Sequence, residues 1–249
     1  MSHVDPRAFV EALDIPTVAL TKENKLSGFE NSKEGSEEAF VNNKSVVSFV
    51  SEVSTQSRQD ILNSSLLAQK VADKKYPNHE DMMQWYETYL DTLKQIGWVI
   101  EAKDTANFST SDAIFEMEKV VVDILAALVG QNYIAVLTST LEAMKSLSKE
   151  DKKIKVFESA SHSMHKGNFQ IGLATEKNEV VSMHIGAFML STTDEIRQVL
   201  FFKGGKDESE LRYHAIRCTL NTDLYATVRM AIVNKLGGLI EASIGSFDI

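Results

Sequence analysis

The hydrophobic repeat of this 249-residue chain changes period near Ile154, and that change limits the fold more than any other feature. Before it, apolar residues recur every three or four positions, as on one face of a helix. After it, Ile154/Val156, Phe169/Ile171/Leu173 and Val181/Met183/Ile185/Ala187/Met189 alternate as half-buried strands do. Helices segregated from antiparallel strands make an α+β fold, with a helical N-terminal half packed on a mainly antiparallel sheet.

In the first half, Asp5 and Pro6 open a short helix carrying Phe9, Val10 and Leu13 that stops before Pro16. Thr21 to Glu38 is polar and reads as a surface loop. From Lys44 to Val71, Val46, Val50, Val53, Leu67 and Val71 fall near helical spacing, predicting one long helix with a break near Thr55. Asn78 offers an N-cap to a helix with Met82, Trp85, Tyr86, Tyr89, Leu93 and Ile96 on one face, ending at Gly97. Those aromatics read as a core face rather than a ligand platform. Trp98-Val99-Ile100 predicts a short strand. Thr110 or Ser111 would cap a helix through Ile114, Phe115, Val121, Leu125 and Leu128 to Gly130, and a further helix carries Tyr133 to Met144.

In the second half, Thr175–Glu179 reads as a hairpin connection. Val199–Phe202 and Leu211–Leu220 supply two more strands around a Gly204–Asp207 turn, giving a meander of four or five strands. Thr222 would cap a final helix, with Leu224, Val228, Ile232 and Leu236 on one side, stopped by Gly237-Gly238 and covering the sheet. One domain results: residues 1–43 as opening helix and polar loop, 44–150 mainly helical, and 151–249 as meander plus final helix.

Hydrophobic residues at 43% suffice for a core of this size. The formal charge of −9, without a Lys/Arg stripe, argues against nucleic acid as a partner. The lone Cys218 points to a reducing compartment, and Met1–Asp5 shows no basic stretch leading into an apolar one, so synthesis in the cytoplasm without a secretory signal is expected.

Chemistry is sparse. The chain has no phosphate-binding glycine loop, dinucleotide fingerprint, nucleophile elbow or paired-cysteine motif. The densest polar cluster runs from Glu158 to Asn168. Glu158, His162 and His165 offer metal-type ligands, and Ser161 lies beside a histidine that could act as base. Ser, Asn and Gly are also what a strand-to-strand loop needs for its turns, and that reading outweighs catalysis; no metal is expected. Alternation puts His214, Ile216, Cys218 and Leu220 on one face of their strand, where Cys218 reads as a small hydrophobe. His184 takes the parity opposite to Val181, Met183 and Ile185, toward solvent.

Ser57–Ser64, Trp85–Tyr89 through Ile96-Gly97-Trp98, and Phe157–Ser159 through Gly167–Gln170 resemble a family of uncharacterised bacterial proteins. The order of a helical half, a β half and one late cysteine is similar to the Erwinia virulence factor, which supports bacterial persistence in insect guts and carries a fatty acyl group on a cysteine. The resemblance implies a covalent fatty acyl group in place of any other cofactor, with Cys218 as the attachment residue by order. One acyl chain gives marginal, reversible membrane attachment, at roughly 0.8 kcal/mol per buried methylene. Three readings stand: a non-enzymatic bacterial virulence or toxin-like factor acting on host membrane or lipid and delivered by a non-classical route; a hydrolase or metal-dependent enzyme using the His162/His165 loop; and a protein- or glycan-binding module.

Overall fold

A computed structural model describes residues 5–26, 28–29, 33–109 and 112–249. Among them, a seven-stranded sheet forms the centre. Its strands are β1 (Glu38–Asn42), β2 (Ser45–Phe49), β3 (Trp98–Phe108), β5 (Lys166–Lys177), β6 (Val180–Thr192), β8 (Ser209–Leu220) and β9 (Ile244–Phe247). They lie in the order β3-β8-β6-β5-β2-β1-β9, antiparallel except for the β2–β5 pair. β4 (Ile114–Glu116) and β7 (Lys203–Gly205) form a separate small pair.

The helices divide between the two faces of the sheet. On one face lie α2 (Thr55–Lys75) and α3 (Met82–Gln95), with α7 (Thr222–Leu236) on α2 and α1 (Pro6–Ala12) on α7. The other carries α4 (Met117–Val129), α5 (Ile134–Ser146) and α6 (Lys152–Ser161). α8 (Leu239–Ser243) leads into β9. Strand alternation assigns the faces: Phe49 lies under the Arg58 guanidinium of α2, while its neighbour Ser48 meets Thr140 of α5 at 2.7 Å.

The α+β class holds, with a mostly helical first half, but the sheet has seven strands rather than four or five, because β1, β2 and β3 of the first half join it, and several further expectations need correction. The predicted helix from Lys44 is helical only from its expected break, where α2 begins at Thr55; before that it is β2, the second strand of a hairpin with β1. β1 and β2 are buried on both faces, so the period-two signal vanishes and Val46, Val50 and Val53 mimic a helical stripe. The polar stretch to Glu38 therefore already contains the start of β1. Trp98-Val99-Ile100 opens an eleven-residue edge strand. Ile114 and Phe115 belong to β4, with Ile114 exposed, and helix α4 begins at Met117. The caps predicted at Thr110 and Ser111 lie outside the described residues. Ile154 and Val156 are helical: Asp151 caps α6 by accepting the Lys153 N–H at 2.8 Å, and two alternating positions are too few to fix a period. Val199–Phe202 is a turn rather than a strand.

The β5–β6 turn narrows to Asn178-Glu179, with φ of 50° and 67°, the left-handed pair that suits a two-residue hairpin. Asn221, not Thr222, caps α7. The main neighbours of α7 are α1 and α2 rather than the sheet, and β9 follows it as an edge strand. Gly97 ends α3 at φ 109°, where an added Cβ would stand 3.3 Å from the Asn221 carbonyl, so α3, β3 and the start of α7 converge there.

Candidate functional site

The Glu158–His165 segment is the C-terminal end of α6 and the turn after it, not a loop between strands. His162 Nε2 lies 3.1 Å from Glu158 Oε2, its Nδ1 lies 3.0 Å from the Ser163 carbonyl, and the same Glu158 oxygen accepts the Val199 N–H at 3.0 Å. Burial alone would lower the His162 pKa; the hydrogen bond to Glu158, the Ser163 carbonyl and the Glu158 charge together raise it. His165 turns instead to the Asp194 carbonyl at 3.1 Å. The Ser161 hydroxyl is buried without a hydrogen-bond partner. Each histidine is thus engaged with a separate part of the backbone, and among the described residues no group of three His, Cys, Asp or Glu side chains is placed to hold a metal. The Glu158–His162 pair ties α6 to the Val199 turn.

Cys218 lies near the C-terminal end of β8, between Ile100 of β3 and Met183 of β6, facing α3. It is wholly buried, and its Sγ donates to the Met183 carbonyl at 3.5 Å. Burial first, with Glu101 nearby, pushes the thiol pKa well up, which keeps it protonated and unreactive while α3 is in place. His214 shares this face, as alternation predicts, and is also wholly buried. His184 does not point into open solvent: it is half-buried on the α4 side opposite Arg217, its Nδ1 has no partner, and burial and then Arg217 lower its pKa.

The two helical layers are held by different forces. Helix α2 is polar in sequence yet mostly buried. Arg58, fully enclosed, pairs with Glu38 and donates to the carbonyls of Val53 at 2.9 Å, Lys33 at 3.3 Å and Ser36 at 2.6 Å. Gln69 accepts the Lys44 N–H at 3.2 Å and donates to the Asn42 carbonyl at 3.1 Å, closing the β1–β2 turn. Asn42 donates to the Leu62 carbonyl at 3.0 Å, and the Trp98 indole donates to Ser64 at 3.0 Å. In α3, Tyr86 donates to the Phe169 carbonyl at 3.0 Å, and the Trp85 indole to Asp73 of α2 at 2.8 Å. Bidentate contacts of 2.8 and 2.7 Å between Arg229 and Asp60 fasten α7 to α2.

The α4–α5 layer is oily by contrast. It buries Val120, Val121, Ile124 and Leu125 from α4, and Val136, Leu137, Leu141 and Met144 from α5. Among the described residues a single hydrogen bond between buried side chains, Ser48 to Thr140, joins it to the seven-stranded sheet. The ion pair Lys145–Glu118, at 2.9 Å, runs from α5 to α4 rather than to the sheet. Sequence reasoning found the stripe of α4 but not the Arg58–Gln69 network. Its one signal was a segment rich in Ser, Gln, Asn and Asp lying between apolar residues, a composition that also describes an exposed helix.

No protein-family model matches the chain, and no curated protein matches it. Among solved structures it is similar to a delta-endotoxin, 16% identical, over 86% of this chain and 93% of that one, with a TM-score of 0.45. It is similar to the activated Cyt2Ba monomer from Bacillus thuringiensis subsp. israelensis, 10% identical, over 72% of this chain and 97% of that one, at a TM-score of 0.39. It is similar to the Evf virulence factor, 8% identical, over 86% of this chain and 87% of that one, at a TM-score of 0.35. The structural similarity is weak, and it includes the virulence factor that the sequence resembles.

Proposed function

We propose that this chain is a toxin-like virulence factor that engages membrane lipid through its α4–α5 layer, without catalysis. The observation that carries the reading is the way that layer is held. An apolar helix face loses little when sheet contacts are exchanged for lipid chains, because both environments exclude water. The α2–α3 layer has no such option, since its many polar contacts would be orphaned in hydrocarbon. No described helix is long and apolar enough to cross a membrane. α4, at thirteen residues, is about 20 Å long against a hydrocarbon core of about 30 Å. It would therefore lie along the interface with its apolar stripe turned inward. The net charge of −9 favours zwitterionic over anionic lipid.

The Ser48–Thr140 contact supplies the test. The two hydroxyls meet at 2.7 Å, so Ser48→Cys/Thr140→Cys, built on Cys218→Ser to leave one pair of thiols, brings two sulfurs together for oxidation, with disulfide formation checked by free-thiol titration. The oxidised protein is expected not to release dye from phosphatidylcholine vesicles, and reduction to restore release. Equal leakage from the oxidised form, or none from the reduced form in any lipid mixture, would sink the proposal. A fatty acyl group on Cys218 is the finer part of the reading. The thiol is enclosed under α3, so the group would have to be joined before α3 closes or with α3 displaced. Intact mass of natively purified protein, beside Cys218→Ser, decides: an acyl increment lost in the variant keeps it, and the bare mass removes it.

A further inference from the structure

The α2–α3 side of the sheet contains a titratable group that the lipid-binding reading does not use. His214 Nδ1 lies 2.7 Å from the Thr105 hydroxyl of β3, and its Nε2 is buried with no partner. The ring meets Tyr86 of α3 edge to face at 5.5 Å between centroids. Each element packed against it offers a defined set of groups. From α3 come Tyr86 and Glu87, from β3 Thr105 and Lys103, from β8 itself Arg212, and β6 presents Ala187 opposite. Glu87, the nearby anion, is already joined to Lys103. A second proton on the imidazole would turn Nε2 into a charged donor with no acceptor in a closed space.

We propose that His214 is an acid-sensitive latch that seats α3 on the sheet and, on taking up a proton, loosens that helix and opens the way to Cys218. Tyr86 rests on His214, and Tyr89, one turn further along α3, lies near enough to Cys218 that a thiolate there would raise the phenol pKa. The cheapest relief for the charged ring is for α3 to lift, letting water reach Nε2 and uncovering the thiol. Burial and then the Lys103 charge, opposed by Glu87, lower the His214 pKa to about 4. A lowered histidine pKa stabilises the closed form above the free value of about 6.5, and that stabilisation is lost as pH falls toward 4. Between pH 7 and 4.5 the opening equilibrium should rise on the order of 50-fold. The inference does not depend on the α4–α5 layer meeting lipid.

The test uses Cys218 as its reporter. The full-length protein is treated with 4,4′-dithiodipyridine, which reacts with thiols in acid, at pH 7 and 4.5, with a free cysteine peptide as the reference at each pH. Hydrogen exchange over α3, β3 and α4 is followed in parallel. Wild type is expected to gain tens of fold in relative Cys218 labelling at pH 4.5 with faster exchange in α3, while His214→Gln and His214→Phe stay flat. Using two variants guards against one that fails to fold. The latch is overturned if wild type shows no gain in labelling or in α3 exchange, or if either folded variant gains equally.

Discussion

One sheet carries two unlike helical layers. The α2–α3 layer is fixed by directed contacts: a buried guanidinium, an amide that closes a turn, and indole and phenol donors aimed at single acceptors. The α4–α5 layer is fixed by area, with one buried hydrogen bond to the main sheet among the described residues. A directed contact specifies one geometry and is costly to break in any medium that cannot replace it. Area burial is nearly indifferent to what covers the apolar face, provided water is excluded. The difference predicts two separate triggers: a competing apolar surface for α4–α5, and a change of charge for α3.

The largest effect is expected at Arg58. Arg58→Met leaves Glu38 buried without its guanidinium and removes the side-chain bonds to four backbone carbonyls, and should cost about 3–5 kcal/mol by urea unfolding. Leu125→Ala, a pure packing loss beneath α4 next to Gly186, should cost about 2–4 kcal/mol. If it also raises vesicle leakage at matched folded fraction while Arg58→Met does not, the two layers are separable as argued. Gln69→Leu should cost about 1–3 kcal/mol by leaving the Asn42 carbonyl and the Lys44 N–H unpaired, with leakage unchanged in the folded fraction.

The smallest effect is expected at His162. Its pKa is raised, so its contribution is fully present below the unfolded histidine value and fades as pH rises through the folded one. His162→Ala should therefore differ from wild type by under about 1 kcal/mol, most clearly near pH 5, with the two converging at pH 9. A difference that grows with pH would show that the Glu158–His162 pair is not what joins α6 to the Val199 turn.

Much of the helical order was legible because α3, α5 and α7 each show an apolar stripe, although Asn78 precedes a 3-10 turn and makes no cap bond to α3 and Asn221 replaces Thr222 as the cap of α7; the parity of β8 placed His214 and Cys218 correctly on one face. Elements buried on two sides were not legible. β1 and β2 lose their alternation because helices cover both faces. α2 hides its role for the opposite reason: its buried residues include Ser57, Arg58, Asp60, Asn63 and Gln69, which a one-chain reading sends to the surface. At the candidate site, the sequence offered Glu158, His162 and His165 as ligand types in a loop, and the i,i+4 contact of Glu158 with His162 follows only from the helix α6. Nor could the sequence show that a backbone N–H forty-one residues further on would occupy the same carboxylate.

Local periodicity, the glycine stops at Gly97, Gly130 and Gly237, a hairpin connection ending at Glu179 and the alternation that puts His214 with Cys218 are properties of the sequence alone. These depend on torsional preferences and on neighbours a few residues away. Only the tertiary structure decided that a parallel β2–β5 contact joins the two halves, that a polar helix is core, and that one face of the sheet is bonded while the other is merely covered. Those outcomes depend on which distant groups arrive at each donor and acceptor, and no short-range pattern in the chain encodes that arrival.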